Sequence, residues 1–229
     1  MKIIYWDIDG TLLNTGSAGL YAMTEVFQQL HGKDTPMPMI AAGGRTDNYI
    51  CQQLLYKAHG VMPTDTEVQE FCRHYEATLL KWLRKKGKNG GVFSQVRPLL
   101  SYLDGLKNVT QLLLTGNSEE GARLKLEFFA LASYFDFSVS GFACNFYYRD
   151  DLARNAYKIA KNTWGSEIEE IVVIGDTPYD IQCGKAIGAK TVSVATGHYS
   201  YEALKACNPW IVTEVLPSPK DFAALLKLL

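Results

Sequence analysis

Short apolar runs recur along the chain, and most of them end at a Gly, Asp, Thr or Asn. Such runs are typical of strands that are buried on both faces of a sheet, because neither face then needs polar residues. The pattern predicts strands over residues 3–6, 111–114, 135–139, 171–174, 191–194 and 210–212.

From residue 94 onward, these runs alternate with stretches in which apolar residues recur at helical spacing. A repeated strand-then-helix order is typical of a parallel sheet with helices on both faces. We therefore predict an α/β protein with a Rossmann-like, three-layer parallel sheet as its core. The helices are predicted over residues 118–132, 150–162, 178–187, 201–206 and 219–229.

Residues 16–87 interrupt this alternation, because three helical patterns follow one another there without a strand between them. We predict that this segment is an inserted all-α helical cap domain, and that residues 1–15 and 88–229 form the α/β core domain. Glycines lie at both crossings between the two parts, which favours hinges because glycine tolerates unusual backbone angles.

The first helix of the insert is predicted to begin after Ser17, which is a residue type that caps helix N-termini. Its predicted apolar face is formed by Leu20, Met23, Phe27 and Leu30, which recur at helical spacing.

The second helix of the insert is predicted over residues 47–59. In the third, Thr64 and Glu67 have the spacing of a capping box, and Gly87 lies where a left-handed C-terminal residue is common. The apolar face of this third helix comprises Val68, Phe71, Tyr75, Leu79 and Trp82.

The charge balance excludes whole classes of partner. The chain has 23 basic and 24 acidic residues and a formal net charge of -1, so we expect neither nucleic acid nor a membrane surface as a partner. An apolar run of about 20 residues, which a membrane-spanning helix needs, is absent from the sequence, and the N-terminus does not have the pattern of a signal peptide. We therefore predict a cytoplasmic protein, and the sequence leaves its oligomeric state open.

Three of the predicted strands are followed directly by polar residues. Asp7 and Asp9 follow the first strand, residues 115–117 (Thr-Gly-Asn) follow the second, and Asp176 and Asp180 follow a third. Because the carboxyl ends of parallel strands meet at one edge of the sheet, we expect these side chains to line a single crevice.

Four carboxylates in one crevice would repel each other unless a cation lay among them. Carboxylate and carbonyl oxygens are the ligands that Mg²⁺ prefers, and this ion also binds substrate phosphate oxygens. The sequence thus predicts a Mg²⁺ site formed by Asp7, Asp9, Asp176 and Asp180, where phosphoryl chemistry takes place.

The ordered strings DIDGT, TGN and GDTPYD, each after a predicted strand, resemble the haloacid dehalogenase superfamily and in particular its phosphoglycolate-phosphatase-like members. The helical insert between the first and second strings is similar to the cap domain of that family. The resemblance implies a Mg²⁺-dependent phosphatase that hydrolyses a small phosphorylated metabolite through an aspartyl-phosphate.

The resemblance also assigns roles to individual residues. It implies that Asp7 is the nucleophile that receives the phosphoryl group, and that Asp9 is the general acid and base. It further implies that Thr115, together with the main chain around Gly116 and Asn117, donates hydrogen bonds to the phosphoryl oxygens.

The last acidic string has two interpretations. The resemblance makes Asp176 a metal ligand and makes Asp180 a carboxylate that orients the metal ligands. A structural role for Asp180 stays open, because Thr177, Pro178 and Asp180 have the spacing of an N-cap, a first helical residue and a capping box.

The resemblance also implies a basic residue ahead of the last acidic string, where the sequence offers Arg149, Arg154 and Lys158. We choose Arg149, with Arg154 in reserve, because Asp150 or Asp151 would begin a helix and place Arg149 just before its N-terminus, near the crevice.

The glycine-rich loop before the second cap helix contains Arg45. Arg45 either contacts the distal group of the substrate when the cap closes or is a solvated side chain near a helix start, and both interpretations stay open.

Two other functions fit the same residues. One is a phosphomutase similar to beta-phosphoglucomutase, which the sequence separates poorly from a phosphatase. The other is a non-catalytic regulator that binds a phosphorylated ligand. The presence of Asp7, Asp9, Thr115 and Asp176 together argues against the regulator, because a binding protein does not need a nucleophile beside a general acid.

Overall fold

The computed structural model describes residues 1–228, and its main element is a five-stranded parallel sheet. The strands are β1 (Lys2–Trp6), β2 (Leu13–Asn14), β3 (Gly91–Val92), β4 (Val109–Leu113), β5 (Glu170–Gly175), β6 (Lys190–Val194) and β7 (Ile211–Thr213). The helices are α1 (Ala18–His31), α2 (Asp47–His59), α3 (Asp65–Lys86), α4 (Val96–Asp104), α5 (Glu119–Phe128), α6 (Arg149–Trp164), α7 (Pro178–Ala186), α8 (Tyr201–Ala206) and α9 (Pro219–Leu226).

The strand order in the sheet is β4-β1-β5-β6-β7, so β1 lies between the strand that follows the insert and a strand much later in the chain. Trp6, the last residue of β1, pairs with Leu113 of β4 on one side and with Ile174 of β5 on the other. The order of the strands reverses at β1, and a reversal of this kind opens a crevice at the carboxyl ends of the strands.

Both faces of the sheet are buried, as the apolar runs predict. Ile4 and Trp6 face one apolar cluster, which includes residues of α4, α5 and α9. Ile3 and Tyr5 face the opposite cluster, which includes residues of α6 and α7. The predicted α/β fold with helices on both sides of a parallel sheet is therefore confirmed.

Helices α1, α2 and α3 pack on one another around an apolar cluster separate from those that cover the sheet. Where the chain enters and leaves this helical segment, β2 and β3 form a short antiparallel pair in which Leu13 is opposite Val92. These features support the division into a core and a cap, and the proposed borders at residues 15/16 and 87/88 stay a prediction.

Three predicted elements of the core are wrong or incomplete. The helix predicted over 118–132 ends at Phe128. Residues 135–139 do not form a strand, because the Asp136 carboxylate accepts a hydrogen bond from the Ser138 amide at 2.9 Å and turns the chain into a short 3-10 helix, Phe137–Val139. Helix α4 was not expected from the sequence. The helix predicted over 219–229 ends at Leu226, and residue 229 lies outside the described part of the chain.

The first cap helix has the predicted extent but a different buried face. Leu20 and Leu30 are exposed, whereas Ala18, Ala22 and Val26 are buried beside Met23 and Phe27, which were predicted correctly. The small alanines allow α1 to lie close to α3, and they do not stand out in a pattern of large apolar residues.

The predicted ends of the cap helices have mixed outcomes. Ser17 precedes α1 but makes no side-chain capping hydrogen bond. The capping box of Thr64 and Glu67 is confirmed at the start of α3. Gly87 is not left-handed, because its φ is -55° and the chain continues into a 3-10 turn. A Cβ at Gly87 would lie 2.5 Å from the Phe128 ring, which explains a glycine there.

Within the described residues, 1–228, we find no helix with both the length and the apolar character that crossing a bilayer requires.

We expect the Thr64→Ala substitution to lower the free energy of unfolding by about 1 kcal/mol. The Thr64 hydroxyl accepts a hydrogen bond from the Glu67 amide at 3.3 Å, and an alanine leaves that amide without its cap. Urea unfolding followed by circular dichroism measures the difference. The exposed Thr66, in the same turn, provides the control Thr66→Ala, and an equal loss in both variants would contradict the capping role.

Candidate active site

The residues that follow β1, β4 and β5 meet at one edge of the sheet, as predicted. The Asp7 amide donates to the Ile174 carbonyl at 2.9 Å, and the Leu114 amide donates to the Trp6 carbonyl at 2.9 Å. These hydrogen bonds extend the parallel pairing by one residue beyond the strands. Asp7, Thr115 and Asp176, which follow β1, β4 and β5, therefore lie at the edge of the sheet where the crevice opens.

Three buried carboxylates form the centre of the crevice. Oxygens of Asp7, Asp176 and Asp180 lie within 4.8 Å of one another. Burial raises the pKa of Asp7 and of Asp176, and the negative charge of Asp180 raises both further. Asp9 is not part of this trio, because its half-exposed side chain faces the residues that follow β4 instead.

Arg149 is the basic residue that the fold brings to Asp7. It is buried at the start of α6, and its Nη1 donates to Oδ1 of Asp7 at 3.2 Å. Its Nη2 donates to the Leu114 carbonyl at 3.2 Å and to Oδ1 of Asp180. The other two basic candidates, Arg154 and Lys158, have exposed side chains on the outer part of the same helix.

Asp180 has the structural role that the sequence left open. Its Oδ2 accepts hydrogen bonds from the Thr177 amide at 3.0 Å and from the Thr177 hydroxyl at 2.7 Å, which forms a capping box at the start of α7. Because its Oδ1 binds Arg149, Asp180 connects the start of this helix to the guanidinium beside Asp7.

Asp176 lies in a tight cradle of small residues. The Thr11 hydroxyl donates to its Oδ1 at 3.1 Å. A Cβ at Gly197 would lie 1.7 Å from Oδ2 of Asp176, and one at Gly10, where φ is +87°, would lie 2.4 Å from the same atom. We did not predict a role for Thr11 or Gly197, although Thr11 belongs to the DIDGT string.

The residues after β4 form a hydrogen-bonded network that includes Asp9. Asn117 Nδ2 donates to Oδ2 of Asp9 at 2.9 Å and to the Thr115 hydroxyl at 2.8 Å. Lys125 Nζ donates to Oδ2 of Asp9 and to Oδ1 of Asn117, both at 2.6 Å. We did not assign a role to Lys125 from the sequence. Its helical spacing to Ala122, with Leu126 beside it, places it on the buried face of α5, and that spacing is the signal that could have identified it.

The loop before α2 docks directly on the residues that follow β4. The Asp47 amide donates to the Gly116 carbonyl at 2.7 Å, and the Asp47 carboxylate accepts from the Ser118 amide at 2.9 Å. Burial raises the pKa of Asp47 to about 6, and the nearby Lys125 charge opposes this shift. The helical segment therefore covers the crevice in this structure.

Arg45 of the same loop is not simply solvated. Its guanidinium lies 4.6 Å from the centre of the Tyr49 ring and 4.1 Å from that of Tyr179, so that a cap residue stacks on a core residue. A cavity of about 260 Å³ lies beside it. The lining comprises Arg45, Tyr148, Arg149, Asp150, Asp151, Arg154, Tyr179 and Gln182.

The donor set fits a hard divalent cation. Asp7, Asp176 and Asp180 offer carboxylate oxygens that are close together and buried. Burial and mutual repulsion disfavour their charged forms, and a bound cation would offset both effects. Both oxygens of Asp180 already accept hydrogen bonds, so Asp7 and Asp176 are the members best placed to bind an ion directly.

A parallel sheet with a helical insert after its first strand, and acidic residues at the carboxyl ends of β1 and β5, define a class of α/β hydrolases. The family model described as haloacid dehalogenase-like hydrolase matches residues 4–194. The chain belongs to this family.

Curated relatives match along nearly the whole chain. A phosphoglycolate phosphatase from Aquifex aeolicus is 26% identical over 99% of this chain and 97% of its own length. A probable phosphatase, IndB, from Dickeya dadantii is 26% identical over 99% of this chain and 95% of its own.

Solved structures share the fold. A family hydrolase from Entamoeba histolytica superposes with a TM-score of 0.73 at 18% identity and covers 99% of this chain and 100% of its own. CbbY from Rhodobacter sphaeroides, in complex with phosphate, has a TM-score of 0.71 at 14% identity and covers 93% of each chain.

We expect the Gly116→Ala substitution to displace the docked loop. A Cβ at Gly116 would lie 2.2 Å from the Arg45 carbonyl oxygen, which is backbone and has little room to move. The hydrogen bond from the Asp47 amide should weaken, and hydrogen exchange at that amide should accelerate at least about tenfold.

The control for this exchange measurement is Gly91→Ala. A Cβ at Gly91 would meet no heavy atom of the described residues within 4 Å. Unchanged exchange at Asp47 in Gly116→Ala would contradict the close docking of the loop.

Proposed function

We propose that this protein is a Mg²⁺-dependent phosphatase that hydrolyses a small phosphomonoester through an aspartyl-phosphate on Asp7. The observation that carries the proposal is the position of Asp7, which is buried between Arg149 and Asp176, with Thr115 just beyond the end of the neighbouring strand β4. Two further observations support it. The three acidic and polar strings occur in the expected order, and the curated relatives are named as phosphatases.

Asp7 is proposed to attack phosphorus. Arg149 holds Oδ1 of its carboxylate at 3.2 Å and is itself fixed by the Leu114 carbonyl and Asp180. A carboxylate held in one orientation loses little entropy on the way to the transition state. The Arg149 charge also offsets the repulsion between the carboxylate and an approaching phosphate dianion.

Asp9 is proposed to transfer the proton. In the first step, a bond forms between an Asp7 oxygen and phosphorus, the bond from phosphorus to the leaving oxygen breaks, and the proton of the Asp9 carboxyl moves to that oxygen. In the second step, Asp9 takes a proton from water, whose oxygen attacks phosphorus and releases Asp7. Asp9 is half-exposed, as a group that exchanges protons with substrate and water must be.

The loop after β4 is proposed to hold the phosphoryl oxygens. Thr115, Gly116 and Asn117 follow β4, whose last residue pairs with Trp6, directly before Asp7. Hydroxyl and amide donors placed around a transferring phosphoryl group stabilise it as its charge redistributes.

Asp7 and Asp176 are the carboxylates that we propose to bind Mg²⁺, together with the main-chain carbonyl of Asp9. When bound, the ion would neutralise charge on the phosphoryl oxygens. Asp180 is proposed to orient Arg149 and the start of α7. Thr11 and Gly197 keep Asp176 in place.

The substrate is proposed to be a small phosphorylated metabolite that carries a second polar or anionic group. Arg45 lines the cavity beside Arg149, and its guanidinium is available to an anionic group, whereas Arg154 on the same lining is paired with Asp151. A cavity of about 260 Å³ has room for a small metabolite. Arg45 is proposed to bind the distal group, because it is held between Tyr49 and Tyr179.

We expect Asp7→Asn to lower phosphate release from any monoester by roughly 10³-fold or more, because an amide cannot act as the nucleophile. The measurement is a phosphate-release screen over sugar phosphates, phosphoglycolate and nucleotides with Mg²⁺. Asp104→Asn, at an exposed carboxylate, should behave as the wild type. Equal rates in the Asp7 variant and the wild type would refute the assignment of the nucleophile.

Mg²⁺ is expected to stabilise the protein more at pH 8 than at pH 5. Burial raises the pKa of Asp7 and Asp176 in the folded state, so without metal the free energy of unfolding falls as pH rises above about 3.9, the ordinary value for an aspartate. Because metal ligands must be deprotonated, Mg²⁺ binds more weakly at pH 5 than at pH 8. At 100 times its Kd, Mg²⁺ adds about 2.7 kcal/mol to the free energy of unfolding, which corresponds to roughly 5–10 °C in Tm.

Calorimetry of EDTA-treated protein with and without added Mg²⁺ measures this effect. Asp176→Asn should respond less to Mg²⁺ at pH 8, whereas Asp34→Asn, at an exposed carboxylate, should respond as the wild type. A full response in Asp176→Asn would refute the proposed metal site.

A further inference from the structure

Lys125 is a buried cation whose role the proposed reaction does not yet explain. Its side chain is only 6% exposed, on a face of α5 where the neighbouring buried residues are Gly121, Ala122 and Leu126. A buried ammonium group is costly unless it is paired, and an apolar side chain of similar length would pack there without that cost. Packing alone therefore does not account for a lysine.

The acceptors of Lys125 point to the proton-transfer group. Nζ donates to Oδ2 of Asp9 at 2.6 Å and to Oδ1 of Asn117 at 2.6 Å. Asn117 Nδ2 donates to the same Asp9 oxygen at 2.9 Å. One oxygen of Asp9 is thus held from two directions, although Asp9 lies on the loop after β1 and its side chain is partly open to solvent.

We propose that Lys125 is a positioning residue for Asp9, an inference that rests on the proposed phosphatase function. Lys125 and Asn117 fix Oδ2, so that Oδ1 is the oxygen that faces the leaving group and holds the proton. As the bond from phosphorus to the leaving oxygen breaks and the bond to Asp7 forms, this proton moves to the leaving oxygen. The Asp9 carboxylate that remains is stabilised by the Lys125 charge beside it.

A competing role for Lys125 comes from the cap. The Asp47 carboxylate docks on the Ser118 amide at 2.9 Å, and the Lys125 charge is near enough to lower the pKa of Asp47. Lys125 therefore lies between an acidic residue of the cap and the acidic residue of the reaction. If its only function were to hold Asp47, its loss would weaken cap docking for every substrate to the same degree.

The leaving group separates these two roles. An alkyl leaving group needs a proton as the bond to phosphorus breaks, whereas 2,4-dinitrophenolate leaves without one. The ratio kcat/KM covers the steps up to release of the leaving group, so attack by water does not affect it.

The test compares the Lys125→Met variant with the wild type on two substrates, in the presence of Mg²⁺. One is the alkyl phosphate that the wild type hydrolyses fastest, and the other is 2,4-dinitrophenyl phosphate. We expect kcat/KM for the alkyl phosphate to fall by about 10²-fold. For the dinitrophenyl ester we expect a loss of less than about threefold, and Lys125→Arg should recover part of the alkyl activity.

Two variants serve as controls. Arg123→Met removes a cation from the exposed face of the same helix, where Arg123 pairs with Glu119, and should change neither value. Asp47→Asn weakens cap docking and should lower both values by similar factors.

Equal losses on the two substrates in Lys125→Met would overturn the positioning role. If that variant does not fold, Lys125→Gln supplies the same comparison, and a failure of both to fold would show that Lys125 is purely structural. A wild type that hydrolyses neither ester with Mg²⁺ would instead refute the proposed function, so the two failures are distinguishable.

Discussion

The central constraint on this structure is that three acidic side chains are buried together at the carboxyl ends of neighbouring strands, where their negative charges repel one another. Asp7, Asp176 and Asp180 lie within 4.8 Å of one another, where burial and repulsion both oppose ionisation. The Arg149 guanidinium contacts two of these carboxylates, Asp7 and Asp180, and it also donates a hydrogen bond to the Leu114 carbonyl just after β4. Much of the surrounding architecture can be understood as a way to hold this charge cluster in one geometry.

The elements around this cluster are connected to one another through its side chains. Asp180 begins α7 and at the same time binds Arg149, so a helix start and an electrostatic contact share one carboxylate. Gly10 and Gly197 leave room for the Asp176 carboxylate, which a Cβ at either position would contact. Each of these residues therefore shapes the local backbone as well as the crevice.

The sequence predicts the parts of the fold that depend on strong, local signals. The five strands of the sheet, the capping box at Thr64 and the acidic strings are of this kind, and they appear in the structure where they were expected. The run 135–139 is the exception, because Asp136 turns it into a 3-10 helix. Other predictions failed because tertiary packing, and not the local pattern, decides which side chains are buried. Ala22 instead of Leu20 faces the cap interior, and Lys125 is buried because of partners 116 and 8 residues away along the chain. A single sequence does not reveal such distant partners, because its patterns report mainly local structure.

The antiparallel pair of β2 and β3 has a mechanical consequence. The two chain segments that connect the helical part to the sheet are hydrogen-bonded to each other, with Asn14 opposite Gly91, instead of running separately. A Cβ at Gly90 would lie 1.9 Å from the Asn14 carbonyl oxygen, so the two segments are also in close contact. The covalent connection between the helical segment and the sheet is therefore one short two-stranded ribbon, and a rotation of the helices about this connection would have to deform both strands together.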